Sequence, residues 1–159
     1  MDTVRGIGWW INPDEERTFE FPHPSALVRP GWLSAESESS LLVYLRSAPQ
    51  FDAARGLSWC RFKCDVSDRV MGFREFWDGV WVWPEGLAHY VESHEVCLPD
   101  EFVQHALSTP LPTSLERPKG VRIFRDGERA RIVRDVEPDF DYWINWANNS
   151  KNEYHRGDD

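Results

Sequence analysis

Cys60, Cys64, His89 and His94 carry the strongest chemical signal in this chain. Two thiols followed by two imidazoles are the ligand set of a Cys2His2 zinc site, where thiolate and imidazole together suit a tetrahedral ion. The histidines are spaced H-x4-H on a segment of helical periodicity, so both can reach one metal. Three features weigh the other way. The cysteine pair is C-x3-C rather than the commoner C-x2-C, and CRFKC offers no glycine for a knuckle turn. Read as strand, the segment LSWCRF (57–62) would carry residues four apart to about 13 Å. His89 and His94 also lie about 140° apart around a helix. The alternative is a pair of buried thiols and a core histidine. Cys97, just past the helix, is either a substitute ligand or a small buried thiol.

Two further groups of residues invite a chemical reading. Glu85 and Glu92 flank His89 at i−4 and i+3, a spacing that permits carboxylate–imidazole hydrogen bonds and general acid–base work of a hydrolase kind. The same spacing also arises on a solvated helix face. Arg122, Arg129 and Arg131 share one face of a hairpin with Phe124 and form a basic patch able to grip an anion, or to pair with the acidic stretch 135–141. Arg74, Trp81 and Trp83 on another hairpin face are the candidate aromatic binding residues. The chain contains no G-x-S-x-G elbow, Walker loop, dinucleotide glycine pattern or H-E-x-x-H. The expectation is therefore of a non-enzymatic protein.

The elements that must position these residues follow from periodicity and turn chemistry. GIGWWI and RTFEF read as a strand pair turned through Asn12-Pro13-Asp14-Glu15. Ser34 caps a helix over 34–49 with Leu41, Leu42 and Leu45 as its apolar stripe and Pro49 as its stop. Asp78-Gly79 signals a two-residue hairpin turn that sets Phe76 opposite Trp81 and Arg74 opposite Trp83. Period two then places Arg74, Phe76, Trp81 and Trp83 on one face, and Phe73, Glu75, Trp77, Val80 and Val82 on the other. Pro84 closes that hairpin and opens a helix whose Leu87, Tyr90, Val91 and His94 share a face. A second short helix follows, with Phe102, Val103, Ala106 and Leu107 inward. A second hairpin turns at Asp126-Gly127, with Val121, Ile123, Ala130 and Ile132 on one face. Residues 139–150 read as a final helix anchored by Tyr142, Trp143 and Trp146.

These elements add up to an α+β fold: antiparallel hairpins in one or two sheets with three to four short helices packed on them. The 159 residues suit a single domain over 1–149, followed by a mobile polar tail from 150 to 159. Nine tryptophans imply an aromatic-rich core, since each ring can bury about 200 Å². A net charge of −9 argues against nucleic acid and for either simple solubility or a basic protein partner. No apolar run spans a bilayer and the N-terminus lacks a signal-peptide pattern, so the reading is cytoplasmic, with no membrane partner. Three cysteines in that compartment are thiols or metal ligands. A small acidic domain of this kind suits binding to a basic toxin surface, as an immunity protein does.

The segment DGVWVWPEGLAHYVESHEVCLPDEF resembles a group of small uncharacterised bacterial proteins that share a W-P-E-G-L-A-H-Y block preceded by one or two cysteines. The resemblance covers about residues 57–107. It implies a bacterial origin and a stand-alone domain, and it brings no activity with it. Some members of the group carry a tighter cysteine pair than CRFKC, which favours zinc.

Overall fold

The computed structural model describes residues 2–54, 56–123 and 131–156. Its elements in chain order are β1 (Asp2–Gly6), α1 (Ala35–Ser47), β2 (Gln50–Ala53), α2 (Asp68–Met71), β3 (Arg74–Trp77), β4 (Trp81–Pro84), α3 (Leu87–His94), α4 (Asp100–Ser108), β5 (Gly120–Ile123), β6 (Arg131–Arg134), β7 (Val136–Asp139) and α5 (Asp141–Arg156). Five strands form one sheet in the order β2-β3-β4-β1-β7, and β5 pairs with β6 in a separate ribbon. β2, β3 and β4 run antiparallel, whereas β1 lies parallel to both β4 and β7. The fold is α+β, with a mixed sheet in place of hairpins alone and, among the described residues, five helices in place of three or four. No helix among the described residues is long and apolar enough to cross a membrane.

The N-terminal strand pair does not form. β1 stops at Gly6, and the stretch expected as its partner contains a single 3-10 turn at Glu16–Thr18. Side chains satisfy the backbone there instead of a ladder. Thr18 Oγ1 accepts from Asn12 N at 2.7 Å and donates to the Glu15 carbonyl at 2.7 Å, while Asn12 Oδ1 accepts from Asp14 N at 3.0 Å. β1 finds its partners far along the chain, in β4 and β7, where no local turn announces them.

The first hairpin forms with its register shifted by two residues. Phe76 faces Trp83 and Trp77 faces Val82. Asp78 is the reason: its Oδ1 accepts from Val80 N at 2.9 Å and from Trp81 N at 2.7 Å, so the turn closes around a side chain and takes up more residues. A shift of two preserves every side chain's face, because the strand period is two. Phe76, Trp81 and Trp83 accordingly enter the main core against α1, α3 and α4, and Trp77 and Val82 join Val4 and Phe51 on the opposite face.

Ser34 caps α1 by accepting from Ser37 N at 3.2 Å, and Leu41, Leu42, Tyr44 and Leu45 are buried. In α4, Phe102, Val103 and Ala106 are buried while Leu107 is exposed, against the expected inward face. α5 runs on through the stretch expected as a tail, to Arg156. Trp143 is fully buried on it, donating from Nε1 to the Trp9 carbonyl at 2.8 Å and stacking on Trp146. β5 and β6 pair Arg122 with Ile132 and Ile123 with Arg131, one residue off the register expected for a two-residue turn. The turn at Asp126-Gly127, with Phe124, Arg129 and Ala130, lies outside the described residues.

Candidate metal centre

The segment 57–67 is not a strand. Residues 61 and 62 form a turn, and Lys63 N donates to the Cys60 carbonyl at 2.9 Å. Lys63 supplies the bend by adopting a left-handed conformation, φ 53°, the role a glycine was expected to fill. The turn folds the C-x3-C pair back on itself and brings both thiols to one side. Two aromatic contacts then fix it on α3. Arg61 N donates to Tyr90 Oη at 2.9 Å, and the Phe62 ring stacks on His94 with centroids 4.3 Å apart. The Arg61 side chain ties down the rest, donating to the carbonyls of Ile11 and Trp59 while its guanidinium lies over the Trp59 ring.

α3 supplies the other half. His89 sits in its middle turn and His94 at its last residue, where Glu95 caps the helix in a left-handed conformation, φ 50°. Their rings approach with centroids 5.0 Å apart, so the angular offset around the helix is bridged by the side chains. Cys60 Sγ lies 3.4 Å from His94 Nε2, and Cys64 Sγ lies 3.3 Å from His89 Nε2. The four ligand atoms all fall within 4.8 Å of one another. A tetrahedral zinc bound to two sulfurs and two nitrogens places its ligand atoms about 3.3–3.8 Å apart.

The surroundings suit neutral imidazoles. Burial lowers the His89 pKa, with a smaller contribution from His94, and burial likewise lowers that of His94. Burial pushes the Cys60 thiol up, and Cys64 beside it pushes the same way. Two thiols packed together without a cation favour the protonated form, and a dication between them reverses that preference. Cys97 is buried away from the cluster and is not among its ligand atoms.

The other candidates separate. The acid–base group on α3 does not assemble: Glu92 is taken by Arg46 at 3.2 Å and Glu85 by Arg74 at 2.6 Å, while the His89 ring faces Cys64. Glu85 has a structural task, accepting also from Phe73 N and Arg74 N, and it presses on Gly72 so closely that a Cβ there would sit 1.9 Å from its Oε2. With φ at +70°, position 72 requires glycine on both counts. Arg74 is exposed on that pair, and Trp81 and Trp83 are 1% and 0% exposed in the core, so the three do not share an accessible face. Arg122 and Arg131 lie on the β5–β6 ribbon, and Arg129 lies outside the described residues.

Sequence reasoning missed a second polar cluster. Asp78, expected only as a turn residue, is buried; its Oδ2 accepts from Tyr44 Oη at 2.6 Å and lies 3.3 Å from His105 Nε2. An Asp-Gly turn between two aromatic strands is the one local hint, since a turn flanked by buried rings is drawn inward with them. Comparison with known protein families, with curated proteins and with solved structures finds no match.

Proposed function

We propose that Cys60, Cys64, His89 and His94 bind one zinc ion, and that its role is structural. The convergence of four soft ligand atoms within 4.8 Å, from a turn and a helix separated in sequence, carries this reading. Four protein ligands complete a tetrahedral shell, which is the closed coordination of a structural site. The ion would staple the 57–67 segment, which has no strand or helix of its own before α2, to the end of α3.

Metal analysis of the purified protein tests this directly, with about one zinc per chain expected. Chelation should then lower the melting temperature by more than about 10 °C. Cobalt substitution should give the visible absorption of tetrahedral S2N2 coordination. Less than one metal per several chains, with melting indifferent to chelator, would return the four residues to the core. The net charge of −9 favours a second, compatible reading, that the domain binds a basic protein partner in the manner of an immunity protein. Rescue of growth from a co-expressed neighbouring toxin tests that role, and failure of rescue counts against it.

A further inference from the structure

A cleft of about 790 Å³ opens beyond the carboxyl ends of the three mutually parallel strands. Gly8 follows β1, Glu85 follows β4 and Phe140 follows β7, and all three line it. The chain leaves these neighbouring strands into three different segments, which is the situation that opens a crevice at strand ends. Its walls combine aromatic rings, among them Trp9, Trp59 and Phe21, with charged side chains.

Almost every charge in those walls is already answered. Arg17 pairs with Glu15 at 2.8 Å, Arg74 with Glu85 at 2.6 Å, and Arg134 with Asp52, which Arg117 also holds at 2.7 Å. Arg61 spends its donors on two carbonyls and lies 4.0 Å over the Trp59 ring. Glu137 accepts from Arg134 N at 3.1 Å. Glu75 is the exception: among the described residues its carboxyl makes no hydrogen bond and no ion pair. It stands on β3 next to Asp52 of β2 and Pro84 of β4 in the sheet.

The local charge balance says what would complete it. The groups whose charge reaches Glu75 are Asp52 of β2, Arg134 of β6, Arg117 of the connection before β5, and Glu137 of β7. Two carboxylates and two guanidiniums sum to zero, so ionised Glu75 leaves one negative charge without a counter-ion. Burial and Asp52 raise its pKa from 4.5 to about 7, against the smaller opposing pull of Arg134 and Arg117. We propose that this cleft binds an organic cation, a primary ammonium or guanidinium on an apolar stem, with Glu75 as its counter-ion and the aromatic walls receiving the stem. The wall already holds one guanidinium against an indole in the Arg61–Trp59 pair, and the acidic molecule as a whole draws cations toward it. This assignment is independent of the metal centre.

Calorimetric titration of the zinc-replete full chain tests it. Phenethylammonium should bind at pH 8 at least about tenfold more tightly than 2-phenylethanol, its neutral counterpart. Glu75→Gln should weaken the ammonium about tenfold and leave the alcohol unchanged. Affinity for the ammonium should fall about fivefold from pH 8 to pH 6, as Glu75 takes up its proton and passes to the tenfold weaker neutral form. Agmatine set against a blocked arginine amide distinguishes a free metabolite from a partner's side chain as the source of the cation. Equal binding of the ammonium and the alcohol, saturation by neither at about 10 mM, or an ammonium affinity unmoved by Glu75→Gln would each overturn the assignment. The comparison with the alcohol needs no variant and so holds even if Glu75→Gln misfolds.

Discussion

Two polar clusters sit inside this aromatic core, and they solve the problem of burial in opposite ways. At the tip of the first hairpin, Asp78 spends both carboxylate oxygens on donors that the fold supplies: Val80 N, Trp81 N and Tyr44 Oη. At the end of α3, Cys60, Cys64, His89 and His94 are brought together through long sulfur–nitrogen contacts, a thiol–thiol contact and the approach of the two rings. A hard anion among strong donors completes itself, and its burial costs little more than the hydrogen bonds return. Weak donors and acceptors of soft character do not, and their convergence makes physical sense when an ion supplies the missing bonds. The first cluster holds the fold from within; the second, on the proposed reading, would hold it by taking up a metal ion.

The contrast is broken most severely at Asp78. Asp78→Ala strips three donors of their acceptor inside the core, and the expected loss is about 3–5 kcal/mol, measured by urea unfolding. Metal content should be unchanged, since no ligand is touched. Asp78→Asn keeps an amide oxygen for Val80 N and Trp81 N and should restore roughly half of the loss. A zinc stoichiometry that falls with Asp78→Ala in folded protein would mean that the two clusters are coupled, not separate.

The pH dependence sharpens the same contrast, because two regions respond in opposite directions. Acid protonates metal ligands, so the zinc contribution weakens as pH falls. Glu75 does the reverse. Its pKa of about 7 in the folded protein lies above the ordinary 4.5, so the folded state keeps a proton that the unfolded state releases between those values. Its contribution is therefore fully present below about pH 4.5 and is lost as pH rises through 7. Glu75→Gln removes that slope. The difference between wild-type and Glu75→Gln unfolding free energies in urea should grow in the variant's favour by about 1–2 kcal/mol from pH 5.5 to pH 8, with the metal term common to both. Parallel curves would show that Glu75 carries no such burden.

Much of this was legible in the sequence, in proportion to how local the cause was. α1 and the two faces of the first hairpin follow from Ser34 and simple periodicity, and the faces survived even a wrong register because the error was an even number of residues. α3 follows from its periodicity but begins at Leu87, because Pro84, expected to open it, ends β4 instead. The pairing of β1 with β4 and β7 left no local trace, since nothing near Asp2–Gly6 distinguishes a parallel partner about eighty residues away from an antiparallel one next door. At the metal centre the ligand types and the helix were readable, and the turn was not. Lys63 gives no compositional sign that it will adopt a left-handed φ, and without that bend CRFKC looks like strand with its thiols apart. Glu75 was visible only as one polar residue on an apolar face. Its isolation depends on where Arg117 and Arg134 go, which is tertiary information.

The smallest expected effect falls on Cys97, and it tests the boundary of the metal set. Cys97 lies three residues beyond His94, is 3% exposed, and donates its backbone N to the Leu27 carbonyl at 2.8 Å. By sequence distance alone it is as good a partner for His94 as either thiol of CRFKC. The fold sends it elsewhere: after Glu95 turns the chain in its left-handed cap, Val96 bridges to Val28 and carries Cys97 into the packing around Leu27. Its thiol is there as a small apolar group, with burial raising its pKa. Cys97→Ala should consequently cost about 1 kcal/mol for the lost sulfur contacts and leave zinc at one per chain, whereas Cys60→Ala should lose the metal with the ligand. A loss of zinc from folded Cys97→Ala would redraw the ligand set around α3's far end.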